Sequence, residues 1–310
     1  MSNIAFVFPG QGSQAPGMGK DLADNFPVAR QAFEEADDAL GFSLSRLCFQ
    51  GPEEDLKLTA NTQPAILATS VAALRVVRQE TGLDPSFFAG HSLGEYSALV
   101  AAGSLSFGDA LRTVRARGTF MQEAVPVGVG AMAAMLSIEP EVLAEICAEA
   151  AQGEVVSPAN FNSPGQIVIA GHANAVARAI EIAKSKGFRK AMLLPVSAPF
   201  HCALMKPAAD RLAGTLEGVS AAAPGKPVVT NVEAKPNSDA ARVKPLLVEQ
   251  VTAPVRWEES VLEMVRLGVD TFVEIGPGKV LCGLVKRISK EPATKNVEDV
   301  ASLKTLGEGA

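Results

Sequence analysis

Gly90-His91-Ser92-Leu93-Gly94 stands between an apolar run, Phe87-Phe88-Ala89, and a helix-like run from Glu95 to Ala102. The stretch reads as a strand, a tight turn carrying one serine, and a helix. A serine on such a sharp turn is pushed clear of the backbone, and glycines on either side permit close approach. Its Oγ then faces the positive end of the following helix, where the Leu93 N–H is an unpaired first-turn donor aimed at any oxyanion formed by attack on a carbonyl. Ser92 is therefore a candidate nucleophile. Gly-x-Ser-x-Gly also arises by chance in glycine-rich chains, so a base and a second oxyanion donor must be found elsewhere.

Outward from that turn, Ile4 to Phe8 reads as a short buried strand ending in the glycine-rich loop Pro9-Gly10-Gln11-Gly12-Ser13-Gln14. Such a loop, at the C-terminal end of a buried strand, is where α/β folds place ligands. It carries no lysine at phosphate-loop spacing and no acidic residue at a ribose position, which argues against a nucleotide site. Asp21 to Val77 is helical in pattern, broken at Gly41 and Gly51-Pro52, and Asn61-Thr62-Gln63-Pro64 opens an alanine-rich run expected to be a buried helix. Leu111, Val114, Gly118, Met121 and Val125 then recur at helical spacing, with Arg117 on or beside their stripe and Arg112 and Arg115 pointing elsewhere. A guanidinium on an apolar face is costly unless an anion or several acceptors meet it. Position alone leaves open whether Arg117 is a structural ion pair or an anion-binding group.

Between Val125 and Val196 the pattern changes to strand (131–138), helix (140–152), strand (154–162), strand (166–172), helix (173–186) and strand (189–196). This β-α-β-β-α-β order is that of a ferredoxin-like unit. The fold class expected is therefore α/β: an α/β-hydrolase-like large domain with a parallel sheet core, 1–124 and 198–310, and an inserted ferredoxin-like small domain, 125–197. A cleft between two such bodies is a natural site. After the re-entry segment Ala198-Pro199-Phe200-His201, a helix (205–218), a strand (227–232), a helix ending before Pro254, a helix (257–267) and a strand (270–275) follow, and the chain ends in a helix bearing Lys279, Lys286 and Arg287.

The chain has 3 histidines. His91 adjoins the serine, and neighbouring side chains on a sharply turned backbone point to different sides, so it is badly placed to take the Ser92 proton. His172 reads as a helix-terminus residue. His201, at the junction of the two bodies, remains as the base. No Asp or Glu declares itself as its orienting partner, and a carbonyl could serve, because the need is for an acceptor that fixes the tautomer.

With 310 residues, 47% of them hydrophobic and 20% charged, the composition is that of a globular protein. A formal net charge of −6 argues against a nucleic-acid partner. No apolar run reaches membrane-spanning length, and Met1-Ser2-Asn3 followed by Ile4 to Phe8 lacks the features of a signal peptide, so a cytoplasmic protein without a membrane partner is expected. Cys48, Cys147, Cys202 and Cys282 are scattered, with no metal-ligand or disulfide pattern; reduced thiols and no metal are expected.

Together these residues resemble the malonyl-CoA:acyl carrier protein transacylase family of fatty acid synthesis. The likeness is carried by Phe8-Pro9-Gly10-Gln11-Gly12-Ser13-Gln14 with Gly17-Met18-Gly19, by Gly90-His91-Ser92-Leu93-Gly94-Glu95-Tyr96-Ser97-Ala98-Leu99, and by the Arg117 helix. It continues through Asn160-Phe161-Asn162-Ser163-Pro164-Gly165-Gln166, Ala198-Pro199-Phe200-His201 and Glu274-Ile275-Gly276-Pro277-Gly278, from end to end of the chain. The resemblance implies Ser92 as nucleophile, His201 as base and then acid, and the main-chain N–H groups of Gln11 and Leu93 as the oxyanion hole. It implies Arg117 as the group that binds a malonyl carboxylate, the Gln250 carbonyl as the support of His201, and Phe200 as a residue selecting malonyl over methylmalonyl. His91, Asn160 and Asn162 join the expected substrate-binding set. No cofactor is implied: malonyl-CoA is a substrate, and the phosphopantetheine belongs to the acyl carrier protein. A monomer is expected. Contacts for an acidic carrier protein could come from Lys184, Lys186, Arg189 and Lys190, or from Lys279, Lys286 and Arg287. A serine thioesterase or esterase, and a non-catalytic docking module, are the competing readings.

Overall fold

A computed structural model describes residues 3–196 and 198–307. Met1 and Ser2 of the N-terminal reading, and Ser197 at the end of the expected insert, lie outside the described residues. The chain is a mixed α/β structure built on two sheets. Its strands are β1 (Ile4–Phe8), β2 (Phe87–Gly90), β3 (Gly130–Leu136), β4 (Val156–Ser163), β5 (Gln166–His172), β6 (Ala191–Leu193), β7 (Val228–Val229), β8 (Pro236–Asn237), β9 (Val255–Arg256), β10 (Thr271–Ile275) and β11 (Ala293–Val297).

The first sheet has the order β11-β10-β1-β2-β7-β8. Its pairs are parallel except β7 with β8. All of β1 is buried, as expected of a parallel strand covered on both faces. Beside β10 runs the helix Thr59–Thr81, buried without interruption from Thr62 to Leu74 because, Gln63 apart, its residues are apolar or small on every side. Pro64 inside this helix cannot donate to the Ala60 carbonyl, and Arg115 Nη1 donates to that oxygen instead at 2.8 Å. The helix Phe107–Glu123 packs against it with Leu111, Val114, Arg117, Gly118 and Met121 buried, while Arg112 turns outward to Asp109.

The second sheet has the order β6-β3-β5-β4-β9. The first four strands pair antiparallel, and β9, from the C-terminal part of the chain, adds to β4 in parallel.

Three expectations are corrected. The strand expected over 189–196 is only Ala191–Leu193, and the one over 227–232 only Val228–Val229. The second stops because the Asn231 N–H turns to Glu95 Oε2 at 3.0 Å and its carbonyl to the Arg256 N–H at 3.1 Å, so its next rungs with β2 are not made. The helix with Lys286 and Arg287, Val280–Ile288, is not the last element: β11 and a helix, Val300–Gly307, follow. β11 is an edge strand of partly exposed and polar residues, so it carries no alternation that marks a strand.

Candidate active site

β2 runs into the helix Gly94–Ala101 through a turn in which Ser92 holds φ 50. A non-glycine residue in the left-handed region is strained, and such strain is frequent where a side chain must be presented. The glycines around it answer to space. A Cβ on Gly90 would lie 2.0 Å from the Gly94 main chain, and one on Gly94 would lie 2.1 Å from the Phe8 carbonyl oxygen. The helix start is thus pressed against β1 and β2, which brings Ser92 beside the Gln11 loop.

Ser92 Oγ lies 2.7 Å from His201 Nε2. His201 Nδ1 lies 2.8 Å from the Gln250 main-chain oxygen, so Nδ1 carries the hydrogen and Nε2 is left to accept from the serine hydroxyl. Burial, and then the Arg117 charge, push the imidazole down to about 3, so it is neutral and able to take a proton. His91 is engaged elsewhere: its Nε2 lies 2.8 Å from Asn162 Oδ1, and burial lowers its pKa.

Arg117 is 1% exposed, and among the described residues no carboxylate forms an ion pair with it. Its Nη1 donates to Gln63 Oε1 at 2.8 Å, its Nη2 to Gln250 Oε1 at 2.9 Å and to Ser92 Oγ at 3.2 Å, and Nε has no partner. Its guanidinium carbon stands 5.6 Å from the centre of the Tyr96 ring. Neutral acceptors thus hold a buried cation beside the serine, an arrangement suited to an incoming anion.

A cavity of about 120 Å³ opens at this point, with Ser92, His201, Arg117, Gln11 and Leu93 on one side. Met132, Asn160, Leu194 and Val196, from or beside the second sheet, face them, and Phe200 and His91 also line it. Among the described residues the Gln11 and Leu93 N–H groups donate no hydrogen bond. Asn162 does not line the cavity; it holds His91. Gln250 also lies behind the lining and reaches it through His201 and Arg117.

Sequence reasoning missed Gln63, Glu95 and Asn231 as parts of this site. Gln63 and Glu95 are buried polar residues in otherwise apolar helices, and that mismatch was the available signal. Asn231 carries none. Glu95 Oε2 accepts from the Asn231 N–H at 3.0 Å and from Gln250 Nε2 at 2.8 Å, and burial raises its carboxyl to about 7. The four cysteines are free and buried. Among the described residues no helix is long and apolar enough to cross a membrane.

A serine held against an imidazole in a cleft, with free main-chain donors nearby, suits acyl transfer. The acyl transferase domain model matches residues 5–308, and the chain belongs to this family of acyltransferases. Its relatives narrow the class. The chain is 52% identical over 303 residues to the malonyl CoA-acyl carrier protein transacylase of Salmonella typhimurium, covering 98% of each chain. An acyl carrier protein S-malonyltransferase from Vibrio cholerae superposes with a TM-score of 0.96 at 54% identity, with 98% of this chain and 100% of that one covered. A malonyl-transacylase solved in complex with a type II PKS acyl-carrier protein superposes with a TM-score of 0.97 at 52% identity over 100% of both chains.

Proposed function

We propose that the protein transfers the malonyl group of malonyl-CoA to the phosphopantetheine thiol of an acyl carrier protein, for fatty acid biosynthesis, by a ping-pong reaction through a malonyl ester of Ser92. The observation that carries this reading is the buried Arg117 guanidinium, held only by neutral acceptors and within 3.2 Å of Ser92 Oγ. A cation at that distance favours an acyl group that ends in a carboxylate.

In the first half-reaction Ser92 Oγ bonds to the thioester carbonyl carbon as its proton passes to His201 Nε2. The Gln11 and Leu93 N–H groups receive the oxyanion. Collapse breaks the C–S bond, the His201 proton goes to the sulfur, and CoA leaves. In the second half-reaction the carrier thiol attacks the ester and gives its proton to His201, and Ser92 recovers that proton as its C–O bond breaks. A carboxylate on Arg117 also offsets the charge that depresses His201, so the malonyl group strengthens the base that acts on it.

The order β6-β3-β5-β4, all antiparallel, supports reading 125–197 as a ferredoxin-like insert, and the parallel sheet supports reading 1–124 and 198–310 as an α/β-hydrolase-like domain. For the carrier protein, the two basic clusters meet at one edge. Arg287 Nη1 donates to Gln166 Oε1 at 2.6 Å, Gln166 pairs with Leu136, and the Leu136 N–H donates to the Lys190 carbonyl at 2.9 Å. Lys184 and Lys186 already pair with Glu181 and Glu149, which leaves Arg189, Lys190, Lys279, Lys286 and Arg287 as the exposed contacts.

The test is intact mass after mixing with malonyl-CoA. The protein gains one malonyl group, held until carrier protein is added, and Ser92→Ala gains none. Unchanged labelling of Ser92→Ala overturns the nucleophile, and prompt hydrolysis of the ester without carrier protein favours a thioesterase.

A further inference from the structure

In the first sheet β2 and β7 pair in parallel, Phe88 with Val228 and Ala89 with Val229. Two further steps of that register set His91 opposite Asn231. In a parallel ladder a residue bonds the two residues that flank its partner, so the Asn231 main-chain N–H would meet the Gly90 carbonyl and the Asn231 carbonyl would meet the Ser92 N–H. Neither bond forms. The Asn231 N–H goes to Glu95 Oε2 at 3.0 Å, and its carbonyl accepts from the Arg256 N–H at 3.1 Å.

The side chain makes both bonds instead. Asn231 Nδ2 donates to the Gly90 carbonyl at 2.6 Å, and Asn231 Oδ1 accepts from the Ser92 N–H at 2.6 Å. A carboxamide has the same donor and acceptor as a peptide group, on a longer tether. The chain can therefore leave the sheet at Ser92, with its φ of 50, while both sides of the turn stay bonded as if the strand continued.

We infer that Asn231 is a positioning residue: its carboxamide stands in for a missing rung of the sheet and holds the Ser92 turn in its strained, side-chain-out form. The main chain of Ser92 is fixed from its other end as well. Its carbonyl accepts from Gln250 Nε2 at 3.1 Å, and Gln250 Nε2 and the Asn231 N–H share Glu95 Oε2. The Gln250 carbonyl that supports His201 belongs to the same residue, so one buried ring of contacts relates serine to imidazole. Asn231 is 1% exposed and does not line the cavity at Ser92, which separates this role from substrate contact.

The inference rests on Ser92 being the acylated residue, and the experiment keeps the two apart. Asn231→Asp and Asn231→Ala are compared with the wild type by rapid-mix intact mass, as the rate of malonyl-serine formation at several malonyl-CoA concentrations and from pH 5.5 to 8.5. An ionised Asp accepts from Ser92 but opposes the Gly90 carbonyl; a protonated Asp can donate to it, and burial raises its pKa. At pH 8 both variants acylate about 10- to 100-fold more slowly, as expected for two lost hydrogen bonds in Asn231→Ala and for one lost bond and a repulsion in Asn231→Asp, with the concentration dependence little changed. As pH falls, the ratio of Asn231→Asp to wild type rises, whereas that of Asn231→Ala stays flat. That rescue is a signature that general loss of packing would not give. If Asn231→Asp does not fold, the slowing of Asn231→Ala at unchanged half-saturation carries the test. Wild-type rates at pH 8 in either variant overturn the positioning role. A wild-type protein that gains no mass on Ser92 overturns the reading of the site itself.

Discussion

Replacing Arg117 by alanine separates a carboxylate-binding site from a general acyl site. In the free protein the guanidinium makes three hydrogen bonds, to Gln63, Gln250 and Ser92, and leaves Nε unpartnered, so it has donors to offer a malonyl carboxylate without unfolding its surroundings. A bidentate carboxylate pair in a dry site comprises two charge-assisted bonds of about 1.5–3 kcal/mol each, or about 3–6 kcal/mol together. At tenfold per 1.4 kcal/mol, kcat/KM for malonyl-CoA falls roughly 100- to 20,000-fold. Acetyl-CoA has no carboxylate to lose. Its transfer is unchanged or rises, because the Arg117 charge is one of the causes of the depressed His201 pKa and its removal makes the imidazole a better base. The assay is transfer of labelled malonyl and acetyl groups to carrier protein over a range of CoA-thioester concentrations. Arg117→Lys falls between, since it keeps the charge and loses the planar fork. Equal losses for the two acyl groups would refute the carboxylate role and leave Arg117 as a structural cation.

His201, pushed down to about 3 from 6.5, stays neutral in nitrogen-resolved NMR down to pH 5, and a midpoint near 6.5 would contradict its burial beside Arg117. Glu95 is raised from 4.5 to about 7, so its contribution to stability is present in full below 4.5 and is lost as pH rises through 7. Glu95→Gln removes that loss: its melting temperature relative to wild type increases from pH 4.5 to 8, and a constant difference would show that the carboxyl ionises freely in the folded state. Gly94→Ala drives a methyl to 2.1 Å from the Phe8 carbonyl, and the backbone must shift to admit it. The expected outcome is a melting temperature lower by several degrees together with slower acylation; wild-type values for both would mean that the turn is looser than its contacts.

The elements read most fully from sequence are those whose pattern is local. β1, β5 and the helix Phe107–Glu123 are continuous apolar or periodic runs, and the turn at Ser92 is marked by glycines that the packing of β1, β2 and the following helix requires. Elements held by their neighbours were less legible. β7 keeps only Val228–Val229 because Asn231 gives its main chain to Glu95 and Arg256, and β11 pairs at an edge where no apolar alternation is needed.

For the site, residue chemistry alone named Ser92 and His201, since the chain has few histidines and a single turn built for a serine. The likeness of motifs supplied Gln11, Arg117 and the Gln250 carbonyl. Only the tertiary structure decided that Arg117 faces neutral acceptors rather than a carboxylate, and that Asn231, Glu95 and Gln250 form one ring under the serine. The reason is physical: a motif records which atoms a short stretch can present, whereas the burial of a cation and the completion of a sheet by a side chain depend on groups brought together from distant parts of the chain.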